Sequence, residues 1–255
     1  MDLVKVVIPI YKNTFSKMEM RSLTQAYEVL QSYPLVVIKP FSLNLSELQV
    51  EFPKLIVTSF DDNYFKGISG YNHLMLTSEF YERFLDSQYI LIYQLDAFVF
   101  HDELSDWCNK GYDYIGAPWL QKPVYRLPII SIIMSLIHRY QKSTGKPSKQ
   151  DLYNKIGNGG LSLRKVASHY RVTQEQVDLI RFYLSQKRHH LYNEDVFWAT
   201  EADGFIYPEV KEALRFAFDK YPRYCYKLNN HQLPFGCHSW YKRKMKKFWK
   251  PIIQF

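Results

Sequence analysis

Asp96 stands alone in the apolar run Tyr89-Ile-Leu-Ile-Tyr-Gln-Leu-Asp-Ala-Phe-Val-Phe100. The run is rich in β-branched and aromatic residues and has no helical polar face, so it reads as a buried strand. An ionised carboxylate there costs several kcal/mol unless a cation, a metal ion or a substrate compensates it. Asp96 is therefore either paired in the core or placed where the strand opens on a site. His101, Asp102 and Glu103 follow at once and favour the second reading. A second acidic feature is Glu194-Asp195, in Asn193-Glu-Asp-Val-Phe-Trp198. One carboxylate could orient a substrate while the other takes a proton, but acidic residues also favour a helix start. Ile156-Gly-Asn-Gly-Gly-Leu-Ser-Leu-Arg164 sets three glycines around Asn158. It is a pocket floor or simply a turn or bulge, and it is neither GxxxxGK[ST] nor GxGxxG. His238, in Pro234-Phe-Gly-Cys-His-Ser-Trp240, is the best metal candidate among eight histidines. A hydrated divalent ion on a diphosphate needs only a carboxylate and an imidazole from the protein. Cys225, His231, Cys237 and His238 have irregular spacing for zinc. His189 and His190 read as the solvated end of a basic helix.

These residues need a scaffold. Strands are expected at Lys5–Ile10, Leu35–Lys39, Leu55–Thr58, Tyr89–Phe100, Tyr112–Ala117 and Leu161–Leu163. Ser16 with Glu19 forms a capping box before the helical face of Met20, Leu23, Tyr27 and Leu30. Ser78 caps a helix through Phe84, and 102–110 is a short helix. Another helix covers 129–140, with a flexible basic loop after it. Thr173 with Gln176 reads as a capping box opening a helix to about Lys187. Strands alternating with helices predict one α/β domain, a Rossmann-type, mostly parallel mixed sheet flanked by helices. That domain is expected over 1–240, followed by a basic aromatic tail over 241–255.

At 255 residues the chain can bury one sizeable core. The 21 Tyr, 17 Phe and 5 Trp suit sugar or base stacking, though they also fill cores. Six of the net eight positive charges fall within Tyr241–Lys250, leaving a nearly neutral body. That segment could lie on an anionic membrane surface, touch nucleic acid or be a solvated end, and no basic stripe in the body suggests nucleic acid. Cys108, Cys225 and Cys237 make no disulfide framework, so a reducing cytoplasm is the simplest setting. The N-terminus lacks the features of a signal peptide. The apolar stretch Leu127–Ile137 is too short to span a bilayer and could contact a partner or a membrane.

In order and spacing, Val6-Val-Ile-Pro-Ile-Tyr11, Ser69-Gly-Tyr-Asn72, Tyr93–Phe100, Asp113-Tyr-Ile-Gly-Ala-Pro-Trp119, Gly157–Arg164, Asn193–Trp198 and Gly236-Cys-His238 resemble the nucleotide-sugar glycosyltransferases of the GT-A fold. The nearest match is a bacterial family first catalogued as a domain of unknown function. The resemblance implies that Val7–Tyr11, including Pro9, Ile10 and Tyr11, hold the nucleotide base and ribose, with Asn72 nearby. It implies that Asp96 is the last aspartate of a DxD motif and His238 a late metal ligand, together holding manganese or magnesium across the diphosphate. Gln94 replaces the first acid of that motif, which weakens a metal site and leaves room for Arg164 or Lys66 as compensating cations. Asn158, Gly159 and Gly160 would face donor sugar and acceptor. Glu194 and Asp195 would match the xED motif of inverting members, with Asp195 the base, and Trp119 and Trp198 could stack on sugars.

The implied reaction moves a sugar from a nucleoside-diphosphate donor, UDP-linked by expectation, to a hydroxyl of a glycan or lipid-linked glycan. The setting would be bacterial surface polysaccharide synthesis, in the cytoplasm or peripherally on the inner face of the membrane. A non-catalytic sugar-nucleotide or carbohydrate-binding module of the same fold is the alternative. A metal-dependent phosphoesterase using Asp96, Asp195 and His238 fits less well, because they form no compact cluster in sequence.

Overall fold

The computed structural model describes residues 1–186 and 190–255. Six strands form the main sheet, in the order β3-β2-β1-β4-β7-β6. They are β1 (Asp2–Pro9), β2 (Leu35–Pro40), β3 (Leu55–Phe60), β4 (Ser87–Tyr93), β6 (Tyr114–Gly116) and β7 (Leu161–Lys165). The first four run parallel, while β7 is antiparallel to both β4 and β6. Val6, Val7 and Ile8 of β1 and Ile90, Leu91 and Ile92 of β4 are all buried, as strands covered on both faces must be. A small second sheet, β5 (Ala97–Val99), β9 (Gly236–His238) and β8 (Ala217–Phe218), stands beside it. The expected mixed α/β architecture is therefore the one observed.

The connection from β1 goes to one side of the sheet and that from β4 to the other. Such a reversal opens a crevice at the carboxyl ends of the two strands. Pro9, Ile10 and Tyr11 end β1 there, and Gln94 ends β4.

Local structure departs from the sequence reading in four places. The expected strand 89–100 is two strands in two sheets. The break is a turn in which Ala97 N–H donates to Gln94 O at 2.8 Å and Gln94 N–H donates to Gly160 O at 2.9 Å. Asp96 thus sits in a turn rather than inside a strand, which removes the need for its charge to be buried in the ladder. Thr77, not Ser78, caps the helix Ser78–Glu82, its hydroxyl accepting from Phe80 N–H at 3.3 Å. Thr173 opens no helix: it lies near the end of Val166–Glu175, and its hydroxyl donates to Tyr170 O at 2.7 Å. A threonine hydroxyl can satisfy a carbonyl inside a helix as readily as it caps one. The following helix is Val177–Ser185; Lys187 and His189 lie outside the described residues.

The fourth departure is the C-terminal segment. Arg243–Ile253 is a helix whose Trp249 and Ile253 are buried, with Met245 and Phe248 packed beside them against Phe98, Phe218 and Trp240. Trp249 stacks on Phe100 with centroids 5.6 Å apart. The segment is part of the packed body, and its aromatic rings serve the core instead of a membrane. Lys244, Lys246, Lys247 and Lys250 point to solvent. No helix among the described residues is long and apolar enough to cross a membrane.

Candidate active site

A large cavity, about 580 Å³, occupies that crevice. Its lining brings together Pro9, Ile10, Tyr11, Asn72, Gln94, Asp96, Asn158, Gly159, Gly160, Glu194, Asp195 and His238, drawn from segments more than 200 residues apart. A second cavity of about 250 Å³ adjoins it, with Trp119, Lys122, Tyr125, Tyr153 and Tyr221 in its wall. Asn193 and Asp195 line both.

Asn158 Nδ2, on the wall of the large cavity, is buried and has no hydrogen-bond partner among the described residues. Buried polar atoms are ordinarily satisfied, so this donor marks a place for a polar ligand. Backbone shape serves the same end. A Cβ on Gly160 would come within 2.2 Å of His238 Nε2, and one on Gly159 within 2.0 Å of Glu194 Oε1. Only a glycine pair lets that loop lie against both groups.

Asp96 and His238 face each other across the turn. His238 Nε2 lies 2.8 Å from Asp96 Oδ1 but outside hydrogen-bond alignment, and Nδ1 lies 3.2 Å from Asp219 Oδ1. Lys242 Nζ is 3.0 Å from Asp96 Oδ2. Burial alone would raise the Asp96 carboxyl, yet the His238 and Lys242 cations hold it well below the usual carboxylate range. Burial would lower the His238 imidazole, but Asp96 and Asp219 outweigh it and raise it to about 9. Because the folded value lies above the ordinary imidazole value, the stabilisation is complete below about pH 6.5 and is lost as pH rises through about 9. The unfolding temperature should therefore fall between pH 7 and pH 10, and His238→Gln should flatten that slope. An equal slope in the variant would place the alkaline transition elsewhere.

The donor set suits a divalent ion of the magnesium or manganese type. One carboxylate and one imidazole form an ion pair at 2.8 Å that a divalent ion could replace, and the other imidazole nitrogen is oriented by a carboxylate, as metal-binding histidines usually are. Among the described residues no group of three or more His, Cys, Asp or Glu side chains could hold a metal. Asp96 and His238 would therefore supply two ligands to such an ion.

Glu194 and Asp195 open the helix Glu194–Thr200. The expected helix start is observed, and it is what aims both side chains. Asn72 Oδ1 accepts from Glu194 N–H at 3.2 Å, and its Nδ2 donates to Asn193 Oδ1 at 3.1 Å, pinning that start. Glu194 is buried against Arg164, whose Nη2 lies 3.0 Å from Oε2 and 3.1 Å from Oε1. Burial raises the Glu194 carboxyl and Arg164 opposes it, leaving it above the ordinary range. Asp195 reaches the open wall. Burial raises its carboxyl as well, against the Gly159 and Val196 N–H groups that favour its charge. A raised carboxylate on the wall of a cavity is a better proton acceptor than an ordinary one.

Three sequence expectations are corrected. Arg164 is fully buried behind the cavity, held by Glu194, Tyr81 Oη and Ser162 Oγ, and cannot reach a diphosphate. Trp198 is fully buried, stacked on Phe205 with centroids 5.8 Å apart, so it does not stack on a sugar. Lys66 is exposed, bonded to Asn63 and absent from the cavity lining. Trp119 does line the second cavity, its indole lying over Gly157, where a Cβ would come within 2.2 Å.

The sequence reading missed the cavity's cations, Lys12 and Lys242, along with Tyr71, Tyr241 and Asp219. Asp219 carried a signal. It closes the apolar run Phe216-Ala-Phe218 much as Asp96 interrupts its own.

Residues 54–238 match the family described as "Protein of unknown function (DUF5672)". The chain belongs to this family. No curated protein matches it by sequence. Among solved structures, it resembles the galactosyltransferase LgtC in complex with donor and acceptor sugar analogues. The identity is 12 %, the TM-score 0.57, and 96 % of this chain and 94 % of that one are covered. It also resembles the glycosyltransferase GlyE of Streptococcus pneumoniae TIGR4, at 11 % identity and TM-score 0.53, covering 98 % of this chain and 60 % of that one. The bifunctional glycosyltransferase WbbM is similar at 13 % identity and TM-score 0.53, covering 93 % of this chain and 45 % of that one. This DUF5672 chain thus has the GT-A fold found in glycosyltransferases.

Proposed function

We propose that this protein is a glycosyltransferase that takes a sugar from a nucleoside-diphosphate donor, UDP-linked, in the large cavity. The acceptor is a hydroxyl of a glycan or lipid-linked glycan in the second cavity. The observation that carries the reading is Asp195, whose carboxylate stands on the wall common to both. Proton transfer from an acceptor must happen where acceptor and donor meet. Pro9, Ile10 and Tyr11 receive the nucleoside at the end of β1. Asp96 and His238 would hold a divalent ion, which would supply charge stabilisation to the leaving diphosphate. Lys242 and Lys12 add positive charge around the same cavity, a task expected at first of Arg164 and Lys66. Asn158, Gly159 and Gly160 line the sugar's place, Trp119 stacks on the acceptor, and Asp195 removes its proton. The attacking oxygen then approaches opposite the leaving diphosphate, so the anomeric centre inverts. Surface polysaccharide of a bacterium is the acceptor class this reading favours, with the reaction on the cytoplasmic side of the membrane.

Gln94 in place of an acid favours a second reading, a sugar-nucleotide or carbohydrate-binding module without turnover. One experiment addresses both. The unfolding temperature is measured with UDP, GDP and their sugars, with and without manganese, and diphosphate release from the stabilising sugar nucleotide is then followed. The transferase reading expects a rise of several degrees with one nucleotide series, enhanced by manganese, and slow release of nucleoside diphosphate without acceptor. Stabilisation without any release supports a sugar-nucleotide-binding module, and no stabilisation by any nucleotide or nucleotide sugar overturns the transferase reading.

A further inference from the structure

The helix Pro128–Ser143 has no fully buried residue. It touches the body along one stripe, where Gln150 Nε2 donates to Met134 O at 2.7 Å and His138 Nδ1 lies 3.0 Å from Ser148 Oγ. The rest of its surface is open. Ile129, Ile132, Ile133, Leu136, Ile137 and Tyr140 recur at three- and four-residue spacing, which sets them on one face. Ile129 is 74 % exposed, Ile132 62 %, Leu136 57 % and Tyr140 62 %. A contiguous apolar face of this kind marks an interaction surface, since soluble chains seldom leave one uncovered.

The charge around the face says what covers it. From Lys122 to Asp151 the chain carries six Lys or Arg residues and one acid, Asp151, which lies 4.0 Å from Lys142 Nζ. Arg139 and Lys142 are exposed on the same helix, and Lys122 and Lys149 flank it and line the second cavity. A twofold contact between copies would set these cations against one another, with Asp151 the single acid in the segment to offset them. An anionic lipid surface meets both features, taking the apolar side chains below its headgroups and the cations among them.

We propose that Pro128–Ser143 is a membrane-docking helix that lies in the plane of an anionic bilayer surface, with its flanking segments bringing the mouth of the second cavity to that surface. On the transferase reading, a lipid-linked acceptor would then enter without leaving the membrane. The docking itself does not depend on that reading, because it is measured without nucleotide.

The test uses the full chain and co-sedimentation with vesicles of phosphatidylglycerol and phosphatidylcholine, or of phosphatidylcholine alone. The protein should sediment with the anionic vesicles and at least tenfold less with neutral ones, with the difference shrinking as salt is raised. The double variant I132D/L136D should lower anionic-vesicle partitioning at least tenfold. Both sites are exposed, so its unfolding temperature should match the parent. K244E/K247E, on the C-terminal helix, should stay within about twofold of the parent, where each lysine near such a surface contributes a modest term. The proposal is overturned if the parent ignores anionic vesicles, or if I132D/L136D binds them as before. It is also overturned if K244E/K247E abolishes binding while I132D/L136D does not, which would return the contact to the C-terminal helix. A parent dimer that I132D/L136D converts to monomer would instead make a second copy the occupant.

Discussion

Asp195→Asn should slow sugar transfer by roughly 10²–10⁴-fold, the range a positioned general base supplies, while leaving donor binding within a few-fold. The amide has the shape of the carboxylate, and its Oδ1 can still accept the Val196 N–H bond seen at 3.0 Å, so the helix start should persist. The loss should therefore appear in kcat, not in the nucleotide Kd or the unfolding temperature. The parent's product should carry the opposite anomeric configuration to the donor, which NMR of the product reads directly. Retention of configuration, or a kcat within tenfold of the parent, would remove Asp195 from the role of base.

The second large effect concerns folding. Arg164→Met should destabilise the protein by about 3–5 kcal/mol, because it strips the cation from a buried carboxylate. That is a large share of a typical domain's 5–15 kcal/mol. Arg164 lies 5.6 Å from the Tyr114 ring centroid and bonds Ser162, Tyr81 and Glu194, so several buried acceptors lose a donor together. The deficit has a definite pH dependence. Burial already raises the Glu194 carboxyl above its ordinary value, and without Arg164 nothing opposes that rise. A carboxyl raised in the folded state costs nothing where it is protonated in both states, and the cost sets in as pH rises. Urea unfolding should show a smaller deficit at pH 5 than at pH 8, and R164M/E194Q should recover part of it. A deficit under about 1 kcal/mol, or one independent of pH, would mean that the pair is dispensable.

Much of the site was legible because its residues break local rules. Asp96 interrupts an apolar run, Gly159 and Gly160 interrupt the approach to β7, and Glu194-Asp195 sits among aromatics. Each violation costs free energy that the chain must recover elsewhere, which is why such positions tend to be functional. The strands were legible for a simpler reason: the centres of β1, β2 and β4 are covered on both faces and read as the apolar runs Val6–Ile8, Leu35–Ile38 and Tyr89–Tyr93.

Arg164 and Trp198 could not be placed in this way. A strand alternates its faces, so Arg164 can point to a cavity or into the core behind it. The choice belongs to Glu194, which reaches it from 30 residues away. Tryptophan stacks well on sugars, but Phe205, His169 and Tyr81 take up the faces and edge of Trp198 inside the core. The C-terminal helix shows the same limit. Its lysines predict a charged surface, and only packing against Phe98, Phe218 and Trp240 reveals that Trp249 is core.

From the sequence alone follow the mixed α/β class, the lone carboxylate in need of a partner and the acidic pair at a helix start, because burial and backbone conformation act over a few residues. Tertiary structure alone decides that Asp96 meets His238 and Lys242 at a turn between two sheets, with Asp219 on the other nitrogen of His238. It alone sets Asp195 between two cavities and Arg164 out of reach of either. Those pairings join residues 19 to 146 positions apart, and charge compensation across such distances depends on where the chain returns, which no local pattern records.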